Sequence, residues 1–344
     1  MTEFIPFILI SGVASFVATP LMRQIAERIG FVANPSADRV HRKPTPMLGG
    51  LAIYIGLAVG IALGSTEQPL SEVLAVFGGM TLVMLVGLID DRYGTPQLLR
   101  VLVEIAAALM LIWAGIQIQL FDNELIDILL TLMWVVGICN AINFMDNMDG
   151  LAAGLAAAAA FFFFILGVIE GLGLVTMLSA AMLGATVGFL YYNFNPATLF
   201  MGDTGSLLIG FVLAVLGIKL RFTGVPNSIT WIIPIIILGV PIFDTTLVVI
   251  SRLRRGVPVS QGGKDHTSHR LVSIEGMLPS RSVMTLYLIT VALGLMALML
   301  RDATQIQAWT ILGILIVLFL LGLGWLELRF APERLAEKVS PPGD

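Results

Sequence analysis

The stretch Asn140-Ala-Ile-Asn143-Phe-Met-Asp146-Asn147-Met-Asp149-Gly150 stands between two apolar runs. Before it, Leu125 to Cys139 is apolar apart from Asp127 and Thr131; after it, Leu151 to Ile169 carries no charge. Runs of that length suit helices that cross a bilayer, so the polar stretch reads as a place where two such helices meet water. On a helix running through Asp146, positions 140, 143 and 146 each turn by about 60° and stay on one side. Asp149 joins them only if the chain turns near Asn147 or Gly150. A plain inter-helix loop accounts for one Asn and one Asp, but not for four amides and carboxylates at three-residue spacing.

The composition agrees. Of 344 residues, 57% are hydrophobic and 12% charged, with mean hydropathy +0.95. A soluble domain is about 25% charged, so an all-α integral membrane protein is expected, without a soluble domain or a nucleic-acid partner. The 35 glycines suit helices packed closely in lipid. Cys139, the single cysteine, cannot form an internal disulfide.

Working outward, apolar windows fall at about 4–22, 48–64, 72–89, 98–114, 125–144, 151–169, 174–192, 205–220, 229–250, 282–300 and 306–326, which makes eleven. Glu3 precedes the first and Arg23 and Arg28 follow it, the reverse of a signal peptide. It is therefore expected to be an uncleaved helix with its N-terminus outside. Alternation from that start sends 16 of the 19 basic residues to the cytoplasm, leaving only Lys219, Arg221 and Arg301 outside. That asymmetry satisfies the positive-inside rule. One polytopic domain is expected over residues 1–344, its motifs within about 38–271 and its last residues, 331–344, a frayed tail. No internal repeat is evident.

Five polar clusters then share the cytoplasmic face: His41 to Gly50, Asp90-Asp91, the Asn140–Asp149 stretch, Met201-Gly202-Asp203-Thr204-Gly205-Ser206, and Asp265 to Arg270. Asp90 and Asp91 end a helix, where negative charge opposes the macrodipole and calls for a cation; a wetted helix end with Arg92 as neighbour accounts for them equally well. Asp203 opens a helix, and capping alone would explain it. Gly202 and Gly205 beside it, however, let backbone N–H groups approach an anion. His266 and His269 hint at zinc, but their neighbours include Lys264 and Arg270 rather than further ligands, which favours an anion. Arg252, Arg254 and Arg255 extend the basic rim, mainly as a membrane anchor. Glu104 and Asp244 lie inside apolar windows, where an ionisable group is suspect by default. Carboxylates and amides for a hard divalent cation, with cations and glycines for phosphate, suit phosphoryl transfer between a soluble nucleotide and a lipid.

These motifs, with Pro44-Thr-Pro-Met-Leu-Gly-Gly50 and Pro241-Ile-Phe-Asp244, resemble the polyprenyl-phosphate N-acetylhexosamine-1-phosphate transferases. The resemblance implies attack by a polyprenyl (undecaprenyl) phosphate on the β-phosphorus of a UDP-amino sugar, UDP-GlcNAc foremost, with Mg²⁺ or Mn²⁺. UMP and a polyprenyl-diphosphate-sugar would be the products, the first membrane step of a cell-envelope glycan. It implies Asp203 and Asn143 as metal ligands, and Asp90, Asp91 and His266 as catalytic residues. Asp146, Asn147, Asp149, Lys43, His269, Arg270 and Arg254 would bind substrate, Asp149 and the Asn147 loop reading the uracil. The inner membrane is the implied location, with a homodimer left open. Ser268 stands where family members often carry histidine, and Met47 where they often carry arginine. Two rivals remain: the UDP-MurNAc-pentapeptide transferase of the same family, and a cation-coupled transporter. The Pro-rich first loop and the lack of a large extra loop favour the amino-sugar enzyme over the first. The gathering of acids at one face rather than mid-membrane disfavours the second.

Overall fold

The apolar run leading into Asn140 is helix α5, Glu124–Met145, in a computed structural model that describes residues 2–33, 44–64, 68–222 and 227–330. Asn123 caps its start by accepting the N–H of Ile126. Buried Asp127 accepts the N–H groups of Leu120 and Phe121, which folds the preceding loop back onto the helix. The helix ends at Met145 with Asp146 as its C-cap, and Gly150, at φ 77°, turns the chain into α6, Leu151–Glu170. Asp149 thus lies beyond the turn, off the helical face shared by Asn140 and Asn143.

Each of the eleven apolar windows falls on helix: α1 Ile5–Arg28, α2 Gly49–Gly64, α3 Leu70–Tyr93, α4 Gln97–Trp113, α5, α6, α7 Gly173–Asn193, α8 Gly202–Lys219, the pair α9 Asn227–Ile237 and α10 Gly239–Arg255, α12 Pro279–Arg301 and α13 Gln305–Arg329. A short helix, α11, Thr267–Glu275, precedes α12. The only strands among the described residues are β1 Val32–Ala33 and β2 Thr45–Pro46, paired antiparallel. The protein is an all-α, multi-pass membrane protein. Eight helices are long and apolar enough to cross a bilayer, nine if the bent pair counts as one crossing. The two other windows give shorter helices, α2 with 16 residues and α4 with 17. The bend between α9 and α10 is 75°. Pro234 lies inside α9 and Pro241 near the start of α10; Pro241 has no N–H to offer the carbonyl of Ile237, so the ladder breaks there.

Helix α8 is the centre of the bundle, 89% of its crossing residues buried, against 11% for α13 at the periphery. It packs on α3 and α5, while α7 packs on α1, α2 and α6. In lipid no hydrophobic force draws helices together, so close packing through small residues must do so. Gly50 at the start of α2 lies against the backbone of Gly205 in α8, where any side chain would overlap it. That contact brings the N-terminus of α8 into the polar end of the bundle.

Candidate active site

The C-terminal end of α5 is where three polar groups meet. The first joins the ends of α3, α4, α5 and α8. Asp90 and Asp91 occupy the last turn of α3, and only residues 94–96 separate that helix from α4. The short turn forces Arg100, in the first turn of α4, back beside the acids. Arg100 Nη1 donates to Asp90 Oδ2 at 3.1 Å and also to Asp203 Oδ2. Asp90 Oδ1 accepts the N–H of Thr95 at 2.6 Å and its hydroxyl as well. Asn143 Nδ2 donates to Asp203 Oδ1 and to Ser206 Oγ, both at 2.9 Å. Side chains of Asp90, Arg100 and Asp203 keep 16%, 20% and 26% of their surface exposed, so a ligand can reach them.

Asp91 is placed differently. Its Oδ1 accepts the N–H of Asp203 at 2.8 Å, and its Oδ2 accepts the N–H of Thr204 at 3.0 Å and that residue's hydroxyl at 2.6 Å. Asp91 therefore caps α8 from another helix, where an anion meets the positive end of the dipole. The anion expected at the glycine-flanked start of α8 is this carboxylate. Asp203, in the first turn of α8, does not cap the helix through its own side chain. Gly202 has φ 66°, and a Cβ there would overlap the Asp91 carboxylate.

The second group holds the loop after α5. Asn147 Oδ1 accepts the hydroxyl of Ser268 at 2.6 Å, while its Nδ2 donates to the carbonyl of Phe144. Asp149 Oδ2 accepts Asn195 Nδ2 at 3.1 Å and the N–H of Ala197 at 2.9 Å. Asn193 Oδ1 accepts the N–H of Gly150, and Tyr287 donates to the Gly150 carbonyl at 2.5 Å. Asp146, the C-cap of α5, donates its N–H to the carbonyl of Asn143 and follows it in the chain just before this loop.

The third group is the histidine loop. Asp244, wholly buried in α10, accepts the N–H of Thr267 and pairs with His266 Nδ1 at 2.8 Å. That pairing fixes the orientation of the imidazole, whose ring stands edge-on to Phe144. Arg252 grips Asp265 with two bonds of 2.9 and 2.8 Å, and Arg255 adds a third at 2.5 Å. Burial works against the Asp265 charge, yet the bonds and charge of Arg252 and the bond from Arg255 hold its carboxyl down at about 2. His269 is pushed down to about 4, chiefly by burial and further by its neighbours His266 and Lys264, so it is neutral at pH 7. Arg270 is fully buried, bonded to the carbonyls of Asp265 and Leu326 and to Glu327 at 2.8 Å. Arg254, exposed, reaches the same Glu327 at 3.4 Å. These two arginines tie the loop to α13, whereas Lys43 lies outside the described residues.

Asp90, Asp91, Asn143 and Asp203 are thus brought together, and Asn147 and Phe144 link them to the histidine loop. Thr204 and Ser206 fall within the Met201–Ser206 cluster read from the sequence, whereas Arg100 and Thr95 do not stand in any of the five clusters. For Arg100 the signal was present: three residues between two helices place their adjoining turns side by side. Asn193 and Asn195 carried no such signal, since only the folded chain sets them against residues 149–150.

Among the described residues, no group of three His, Cys, Asp or Glu side chains gathers to cage a metal. Magnesium does not need one, since it keeps most of its water and takes one or two carboxylates. Asp90 and Asp203 share a single guanidinium nitrogen, so the space between their oxygens favours a cation, and the donors fit such an ion.

A half-open cluster of carboxylates, amides and an arginine thus stands at one end of a membrane helix bundle. Residues 73–221 match Glycosyl transferase family 4. Across 329 residues, 92% of this chain and 90% of the relative, it is 36% identical to a probable undecaprenyl-phosphate N-acetylglucosaminyl 1-phosphate transferase of Bacillus subtilis. It is 34% identical to a decaprenyl-phosphate N-acetylglucosaminephosphotransferase of Mycolicibacterium smegmatis, over 81% of this chain and 78% of that one. A phospho-N-acetylmuramoyl-pentapeptide-transferase of Moorella thermoacetica is 30% identical over 64% of this chain and 77% of that one. The chain belongs to the polyprenyl-phosphate N-acetylglucosaminyl 1-phosphate transferase family.

Proposed function

We propose that the protein transfers N-acetylglucosamine-1-phosphate from its UDP-sugar to a polyprenyl phosphate at the cytoplasmic face of the cell membrane. An oxygen of the lipid phosphate forms a bond to the β-phosphorus. The bond from that phosphorus to the oxygen bridging the α-phosphate breaks, and its electron pair leaves with UMP. The observation that carries this reading is Arg100 set between Asp90 and Asp203 at a half-open helix end, in a chain of this family.

Phosphoryl transfer asks a protein for positioning and charge more than for covalent help. Asp203 and Asn143 would hold Mg²⁺, or Mn²⁺ in its place, with Asp90 beside them; bound there, the ion neutralises charge developing on the phosphates. Arg100 offers a fixed positive fork to a phosphate oxygen. Asp90, half-buried and next to Arg100, receives the lipid phosphate and any proton it carries. His266, its ring set by Asp244, offers Nε2 to the diphosphate. Neutral His269 suits the uncharged hydroxyls and amide of the sugar. Asp149 and the Asn147 loop bind the uracil.

The test is purified protein with undecaprenyl phosphate and labelled UDP-GlcNAc in detergent. UMP and a labelled lipid are expected, with Asp203→Asn slower by on the order of 10²–10³. UDP as the direct product would overturn the bond assignment. Turnover of UDP-MurNAc-pentapeptide instead would move the chain to the pentapeptide branch.

A further inference from the structure

Glu104 follows Arg100 by one turn of α4 and is wholly buried. Its Oε2 accepts Asn140 Nδ2 at 2.7 Å, whereas Oε1, equally buried, has no hydrogen-bond partner. A carboxylate oxygen without a donor is costly in a bundle interior, and such an exception calls for a reason. Side chains four apart on a helix are neighbours, and Glu104 feels the charges of both Arg100 and Asp203. Arg100 is bonded to Asp90 and Asp203. A divalent cation on Asp203 and Asn143 would stand next to that guanidinium, and like charges at such range repel strongly away from bulk water.

We propose that Glu104 is a second seat for Arg100: when a divalent cation takes Asp203, the guanidinium turns along α4 onto the open Oε1 of Glu104. The seat keeps Arg100 in the site to meet phosphate while relieving its repulsion of the metal. Glu104 is then a positioning residue that acts through Arg100, and the proposal rests on the metal assignment of Asp203 made above. Its bond to Asn140, on the helix that also carries Asn143, keeps the seat in register with the metal-side amide.

Mn²⁺ alone, titrated into the purified protein without nucleotide or lipid and followed by the resonance of the free ion, tests this. Glu104→Gln, which preserves an acceptor for Asn140, should weaken Mn²⁺ binding about tenfold, within the coupling usual for neighbours. In an Arg100→Gln background the same substitution should change the affinity less than about twofold. Glu104→Asp, which keeps the charge but withdraws it from Arg100, should also weaken binding and serves if the glutamine variant does not fold. Unchanged affinity in the single variants, or equal weakening with and without Arg100, would overturn the proposal. Failure of the wild type to bind Mn²⁺, or full binding by Asp203→Asn, would remove the metal assignment and this inference with it.

Discussion

Adjacent carboxylates at 90 and 91 have different tasks because one helical step turns them to different neighbours. Asp91 has every contact on the start of α8, while Asp90 faces Thr95 and Arg100. Asp91→Asn sets an amide N–H₂ against backbone N–H groups, and a loss of about 1–3 kcal/mol in stability is expected. Its activity should be low at every pH. Asp90→Asn should keep the fold and retain activity that rises with pH as the lipid phosphate, with its second pKa near 6, loses its own proton. Thermal unfolding and pH–rate profiles of the two variants check this, and matching behaviour would refute the division. Gly202→Ala should act like Asp91→Asn: a left-handed backbone costs a side-chain residue about 1–2 kcal/mol, and the new methyl displaces the carboxylate. A Gly202→Ala protein with wild-type activity and melting temperature would show the Asp91 cap to be dispensable.

At the scale of elements, α10, the loop after it and α11 form a unit held by buried charge. The unfolded chain binds the proton of His269 near 6.5, the folded chain only at about 4. The unfolded state thus holds more protons between those values, and stability rises with pH there. This contribution is complete above pH 6.5 and lost as pH falls through 4. Asp265 works the same way lower down, present above 3.8 and lost as pH falls through about 2. Unfolding temperature in detergent should therefore drop between pH 6.5 and 4, and His269→Gln should flatten that slope. Parallel curves for the two proteins would contradict the burial of a neutral histidine. The apolar runs foretold these helices well, but not the break at Leu238, whose cause, Pro241, was in plain sight.

Across the whole molecule, the three bases that the charge rule leaves on the far side are each engaged there. Lys219 meets Glu72 at 2.7 Å, Arg221 bonds Gln119 and the Gln117 carbonyl, and Arg301 meets Glu170 at 2.5 Å. Each is tied by its partner to a neighbouring part of the bundle, which gives it a packing role of its own. Asp122, in an exposed loop after α4, and Ser260, exposed after α10, fall on opposite sides in that orientation. Asp122→Cys should label in intact cells and Ser260→Cys only after permeabilisation. The reverse pattern would invert the protein.

The sequence by itself determined the membrane class, the helical runs, the family and most of the acids and amides at the site. Each of these is written locally, in apolar length, charge asymmetry and short motifs. Tertiary structure alone decided which carboxylate meets Arg100 and which caps α8, and that Arg270 holds α13 rather than standing open. It also set Glu104 beside Asn140 and Asp149 against residues 195–197. The reason is physical: a side chain's role follows from the partner it meets, and the partners of Glu104 and Asp91 are 36 and up to 113 positions away. Helix packing brings them together, and no local spacing encodes it.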